Sequence, residues 1–139
     1  TIPGLRVISY QEIPDDKHEY CYAQGKWNLK EILSHIIDTE RIFTYRALRI
    51  ARNDKTSLQG YDHNEFVTES NATERSLESL IEEYSLQRNS TILFYKNLSN
   101  EMLLRIGNAN GLNISTRAIG FLLCGHEKHH LDVFKERYL

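Results

Sequence analysis

The chain is expected to fold as an all-α bundle, and three features of its sequence carry that expectation. Its two prolines, Pro3 and Pro14, both lie near the start, so nothing after residue 15 forbids long helices. Apolar residues recur at helical spacing over long stretches. No alternating run with β-branched residues lasts more than a few positions, so strands are not expected.

The first long helix is predicted over KWNLKEILSHIIDTERIFTYRALRIARND. Asn28 can cap it, and Glu31 three residues on completes a capping box. Trp27 and Ile32 occupy the two positions of a hydrophobic staple. Leu29, Ile32, Ile36, Phe43, Ala47 and Ile50 form one apolar stripe, and Asn53-Asp54 ends the helix. Residues 54–70 are polar and aperiodic, a long connection with one helical turn around Asn64–Thr68. Asn71 and Glu74 form a second capping pattern, expected to open the next helix. Its buried face would be Leu77, Leu80, Ile81, Tyr84, Ile92, Tyr95 and Leu98. SNEMLL should add a helical turn. RIGNANGLNIS, with two glycines and three asparagines, reads as a turn-rich loop. Ser115 then caps a last helix running to about Arg137. A short apolar piece, Leu5–Ile13, is the candidate end of a fourth helix. The 54–73 connection is long enough to run the length of a bundle, which would leave its flanking helices parallel.

A chain of 139 residues makes one domain, 1–139, with a core that needs no staples. Hydrophobic residues are 40% and charged residues 26%, ordinary globular values, and the net charge is −2. That charge offers no electrostatic reason to expect nucleic acid or an anionic membrane as partner. No apolar run approaches the ~20 residues that span a bilayer. Two cysteines, Cys21 and Cys124, make no disulfide framework, so a reducing cytoplasm is the expected compartment. The chain opens TIPGLRVISYQ without an initiator Met, which suggests truncation, processing or missing residues near the start.

The chemistry concentrates in GHEKHHLDVFKERYL at the end of the chain. His126 and His130 stand four residues apart, so a helix projects them onto one face. Ile119, Leu122, Leu123, Val133 and Phe134 share that stripe, which places the two imidazoles toward the core. A buried imidazole needs a partner, and a metal ion would satisfy both together. His129 falls at the stripe edge, a surface residue. A third ligand should come from another helix. His35, beside Ile32, Thr39 and Ile42, is the strongest candidate; His18 and His63 lie in polar segments and are weaker. Three neutral imidazoles with remaining positions open make a catalytic type of site. The plain alternative is a set of hydrogen-bonded structural histidines.

His126-Glu127-x-x-His130 also spells the zinc-protease signature, with Glu127 as general base. Two points count against that reading. Only nine residues follow His130 and none is a histidine, and no strand is available to hold an extended substrate.

GKWNLKEILSHIIDTERIFTYRALRIARNDK together with GHEKHHLDVFKERYL resembles the DinB/YfiT-like superfamily, in particular its DinB-like metal-dependent hydrolases. The resemblance spans roughly residues 11 to 139. It rests on the W-x-L-K-E-x-L-x-H-x-x-D-T-E-R helix, the Y-R-A-L-R-x-A-R segment and the terminal G-H-E-x-H-H-L. It implies a four-helix bundle, up-down-down-up with a long crossover after the second helix. It also implies a divalent metal on His35, His126 and His130, and often a dimer. Zinc, nickel and iron-group ions all suit imidazole nitrogen. A full helix should precede W-x-L-K-E, but only Leu5–Ile13 is available, so that helix is short or partly missing. If it were lacking, a partner chain would have to close the bundle.

The functions that follow are a metal-dependent hydrolase or a thiol-dependent S-transferase acting with a low-molecular-weight thiol. The alternative is a non-catalytic metal-binding or stress-related bundle. Asp38 and Glu127 are the acidic residues nearest the ligands in sequence, and each is a candidate to orient an imidazole or move a proton. Arg46 shares the face of His35 and is a candidate to hold an anionic group of a small-molecule substrate. Cys124 points away from the histidine face and is expected to be an ordinary thiol.

Overall fold

The computed structural model describes residues 2–10 and 26–138. Helices dominate, as expected. Helix α1 spans Leu29–Ala51, α2 His63–Thr68, α3 Leu77–Lys96, α4 Asn100–Leu104 and α5 Thr116–Tyr138. Between α4 and α5 lie two short strands, β1 (Ile106–Ala109) and β2 (Leu112–Ser115). Helix α1 is the middle rod and packs along both α3 and α5. Among the described residues no helix is long and apolar enough to cross a membrane.

The α1 capping box is present in full. Asn28 Oδ1 accepts from the Glu31 N–H at 2.9 Å, and Glu31 Oε1 accepts from the Asn28 N–H at 3.1 Å. Ser115 caps α5 through Oγ, which accepts from the Ala118 N–H at 3.0 Å. The start of α3 differs from expectation. Asn71 takes the left-handed conformation (φ 58°) and caps nothing; it precedes a 3₁₀ turn at Ala72–Glu74. Ser76 does the capping, accepting from the Ser79 N–H at 3.1 Å. Asn tolerates left-handed backbone better than most residues, which suits it to the turn.

The 106–115 segment also differs: it is an antiparallel hairpin, with Ile106 opposite Ser115 and Ala109 opposite Leu112. Its turn is Asn110-Gly111, both with positive φ (52° and 79°), the dipeptide that suits a tight right-twisting hairpin. The crossover after α1 is laced to this hairpin. Leu58 N–H donates to Asn108 O at 3.0 Å, and Asn110 N–H donates to Leu58 O at 2.8 Å. Gly107 lets β1 lie against α1: an added Cβ would stand 2.5 Å from Ile50 Cγ1, in a side chain only 1% exposed. Gly107→Ala should therefore destabilise the protein by about 1–3 kcal/mol through overpacking. A urea midpoint that does not fall would refute this.

Two apolar clusters form the core. One gathers Leu29, Ile32, Leu33, Ile36 and Ile37 of α1 with Leu77, Leu80, Ile81 and Tyr84 of α3, and with Phe134 and Tyr10. The other joins Ala47, Ile50, Tyr95, Ile119 and Ile2. The expected α1 stripe is buried apart from Phe43, which is half-buried. Residues 5–10 are not helical, contrary to the expectation for Leu5–Ile13; residues 11–13 lie outside the described residues, as do Pro14, His18 and Cys21. Segment 2–10 bridges α3 and α5 instead. Ile8 N–H donates to Tyr84 Oη at 2.9 Å, and Tyr10 Oη donates to Glu127 Oε2 at 2.6 Å.

Candidate metal centre

Packing of α1 against α5 brings three imidazoles to one point. His126 Nε2 lies 2.9 Å from His35 Nε2 and 3.1 Å from His130 Nε2. One ligand atom from each residue falls within 4.8 Å of the others. Zn–N bonds of ~2.0–2.1 Å at tetrahedral angles set neighbouring nitrogens about 3.3 Å apart. The donor set therefore fits a divalent ion in chemistry and nearly in spacing. His35 and His126 are 91 residues apart in sequence, so only the helix pairing unites them.

Burial controls the charge of the site. His35 is 4% exposed, and its pKa is lowered to about 3 by burial first, then by His126, His130 and His63. His126 is lowered to about 4, by burial and then by His130, His63 and His129. His130 is lowered for the same leading reason, with His129 and His63 adding to it. All three rings are thus neutral near pH 7 and keep a lone pair for a cation. Trp27 covers part of the cluster, its ring 4.7 Å from His35 and 6.2 Å from His130.

The inward stripe of α5 is rotated from the one expected. Leu122 is 49% exposed, whereas Glu127 is 2% exposed. His126 and His130 are half-buried at the stripe edge, and His129 is exposed. The Glu127 carboxylate turns to partners other than the imidazoles. Oε1 pairs with Arg88 Nη1 at 2.9 Å, and Oε2 accepts from Tyr10 at 2.6 Å. Arg88 also donates to Glu40 Oε1 through Nη2 at 2.6 Å, and through Nη1 to Arg6 O at 2.6 Å. Thr91 Oγ1 completes Glu40 at 2.7 Å. Burial opposes the Arg88 charge, but Glu40 and Glu127 outweigh it and hold the pKa up. Sequence reasoning missed this network. The available signal was Arg88 itself, four residues from Tyr84 on the inward stripe of α3.

Thr39, one turn beyond His35, shares a 2.9 Å hydrogen bond with Tyr61 Oη from the crossover. Tyr61 packs edge-on against His63 at 4.5 Å, and His63 against His35 at 5.2 Å. His63, the weaker candidate in the sequence, therefore stands beside the cluster. Asp38 is half-buried. Burial raises its pKa, with Arg41 and Arg75 pulling down and Glu83 pushing up. Arg46 is 8% exposed; its Nη2 donates to Gln59 O at 2.7 Å and its guanidinium lies over Phe43 and Tyr61. It lines a cleft of about 430 Å³ with Tyr45, Arg49 and Tyr61. Cys124 packs against the second core cluster, and burial raises its thiol pKa.

Residues 9–134 match the family model of the DinB superfamily. No curated protein matches the sequence. Among solved structures the chain is similar to YfiT from Bacillus subtilis, described as a probable metal-dependent hydrolase with an unusual four-helix bundle topology. The two are 12% identical with a TM-score of 0.74, over 89% of this chain and 74% of that one. At that identity the likeness shows the shared fold.

Proposed function

This chain belongs to the DinB superfamily, and from that premise we propose that it is a metal-dependent hydrolase of small molecules. The observation that carries the reading is the convergence of the His35, His126 and His130 Nε2 atoms. The description of YfiT as a probable metal-dependent hydrolase supports it. A divalent ion held there would lower the pKa of a bound water, or would bind a thiol as thiolate. Zinc, nickel and iron-group ions are all compatible with three imidazoles.

The chain's own residues supply the rest. His35, His126 and His130 would hold the ion through neutral rings. Trp27 keeps water from one side of His35 and His130. Asp38, with its carboxyl pKa raised by burial, is the candidate to take up a proton. Arg46, in the cleft beside Tyr61, is the candidate to meet an anionic part of the substrate. Glu127 holds α5 in place through Arg88 and contacts no reacting group in this scheme.

Protein purified without a histidine tag should carry close to one divalent ion per chain by elemental analysis. It should hydrolyse an activated ester or amide from a small panel, and lose that activity on chelation. A parallel panel pairing thiols with electrophiles tests S-transfer. Full hydrolysis by metal-stripped protein would overturn the proposal. Activity only with a thiol present would replace hydrolysis by transfer.

A further inference from the structure

We propose that His63 is a fourth, exchangeable ligand of this centre, occupying the position that His35, His126 and His130 leave open until a small molecule displaces it. The inference rests on the metal-centre reading above and adds a residue from a separate element, the crossover.

The His63 ring lies 5.2 Å from that of His35, close to the 4.8 and 4.9 Å that separate His35 from His126 and His130. Among the described residues, the cluster of atoms within 4.8 Å holds only the three other imidazoles. His63 thus stands adjacent to the cluster.

Around His63 the backbone is held, while the side chain is exposed. Asp62 caps α2, its Oδ1 accepting from the Asn64 and Glu65 N–H groups at 2.9 and 3.1 Å. Val67 is 5% exposed, and Tyr61 is tied to the buried Thr39 hydroxyl. The His63 side chain itself is exposed. A side chain on a fixed backbone with solvent around it can change rotamer at little cost, and such a change moves an imidazole nitrogen by several ångströms. His129 also approaches the site, 5.5 Å from His130. It precedes His130 directly on the same helix, however, and so diverges by about 100° around the axis.

Three imidazoles leave a tetrahedral ion one ligand short, and an open position is filled by water or by whatever nitrogen can reach it. Asp62 turns Oδ1 to the capping N–H groups of α2, and the imidazole that follows it is the crossover ring packed against His35.

The test uses Co²⁺ as the sole probe. Chelator-stripped full-length chain is titrated with Co²⁺, following visible d–d absorption and affinity by competition. Wild type and His63→Ala should each bind one Co²⁺ per chain. His63→Ala should show roughly tenfold or weaker affinity and an altered absorption envelope, partly restored by added free imidazole. Identical affinity and spectra in the two proteins, with no response to imidazole, would overturn the proposal for His63 while leaving the three-histidine centre standing. Failure of wild type to bind Co²⁺ at all would overturn both. His63→Gln, which keeps a polar side chain on α2, checks that any loss is not a folding effect: it should behave as His63→Ala does.

Discussion

Arg88→Ala should destabilise the protein by about 3–5 kcal/mol, because it strands buried carboxylates without their cation. Arg88 is 1% exposed, and it binds Glu40 on α1, Glu127 on α5 and the Arg6 carbonyl of the N-terminal segment. Glu40 and Glu127 are each 2% exposed, so water cannot replace the lost guanidinium. A fall of that size is a large part of the stability of a domain this long. Urea unfolding at neutral pH measures it. The triple variant Arg88→Met, Glu40→Gln, Glu127→Gln should recover much of the loss, since no charge is then left unpaired. A single-variant cost below about 1 kcal/mol would mean that the network does not form as described.

His126→Ala should abolish tight metal binding while leaving the bundle folded. His126 is the middle member of the site, within 2.9 Å of His35 and 3.1 Å of His130. Without it two imidazoles remain, from different helices. The loss of affinity should be roughly a hundredfold or more, beyond the ten- to hundredfold that removal of an outer-shell partner typically costs. Turnover should disappear with the ion. Folding should survive because His126 is only half-buried, at the edge of the inward stripe of α5. His129→Ala, three residues on and exposed, is the matched control and should retain the ion. A chelator competition giving equal affinities for wild type and His126→Ala would remove His126 from the site.

Local features of the fold were legible because their causes are local. The Asn28–Glu31 box, the Ser115 cap and the α1 stripe each depend on residues within a few positions of one another. So does the relation between His126 and His130, which helix geometry alone dictates. The hairpin at 106–115 escaped because its strands are four residues each, too short for an alternating pattern to show. Asn110-Gly111 was its one visible sign. The rotation of α5 escaped for a different reason. Ile119, Leu123 and Phe134 are shared by two plausible inward faces of α5, one leaning toward Leu122, His126 and His130 and the other toward Glu127. An acidic residue in the second made the first look more apolar.

By itself, then, the order of amino acids determined the helical class, most helix ends and the pair of histidines one turn apart, since each follows from backbone geometry over a few residues. Tertiary structure decided which charges could be buried, which face of α5 turned inward and which imidazole joined His126 and His130. Arg88 makes Glu127 a core residue, and the α1–α5 contact carries His35, the third candidate, to within 2.9 Å of His126. Those outcomes depend on partners tens of residues away, whose attraction exists only once the helices have packed and excluded water.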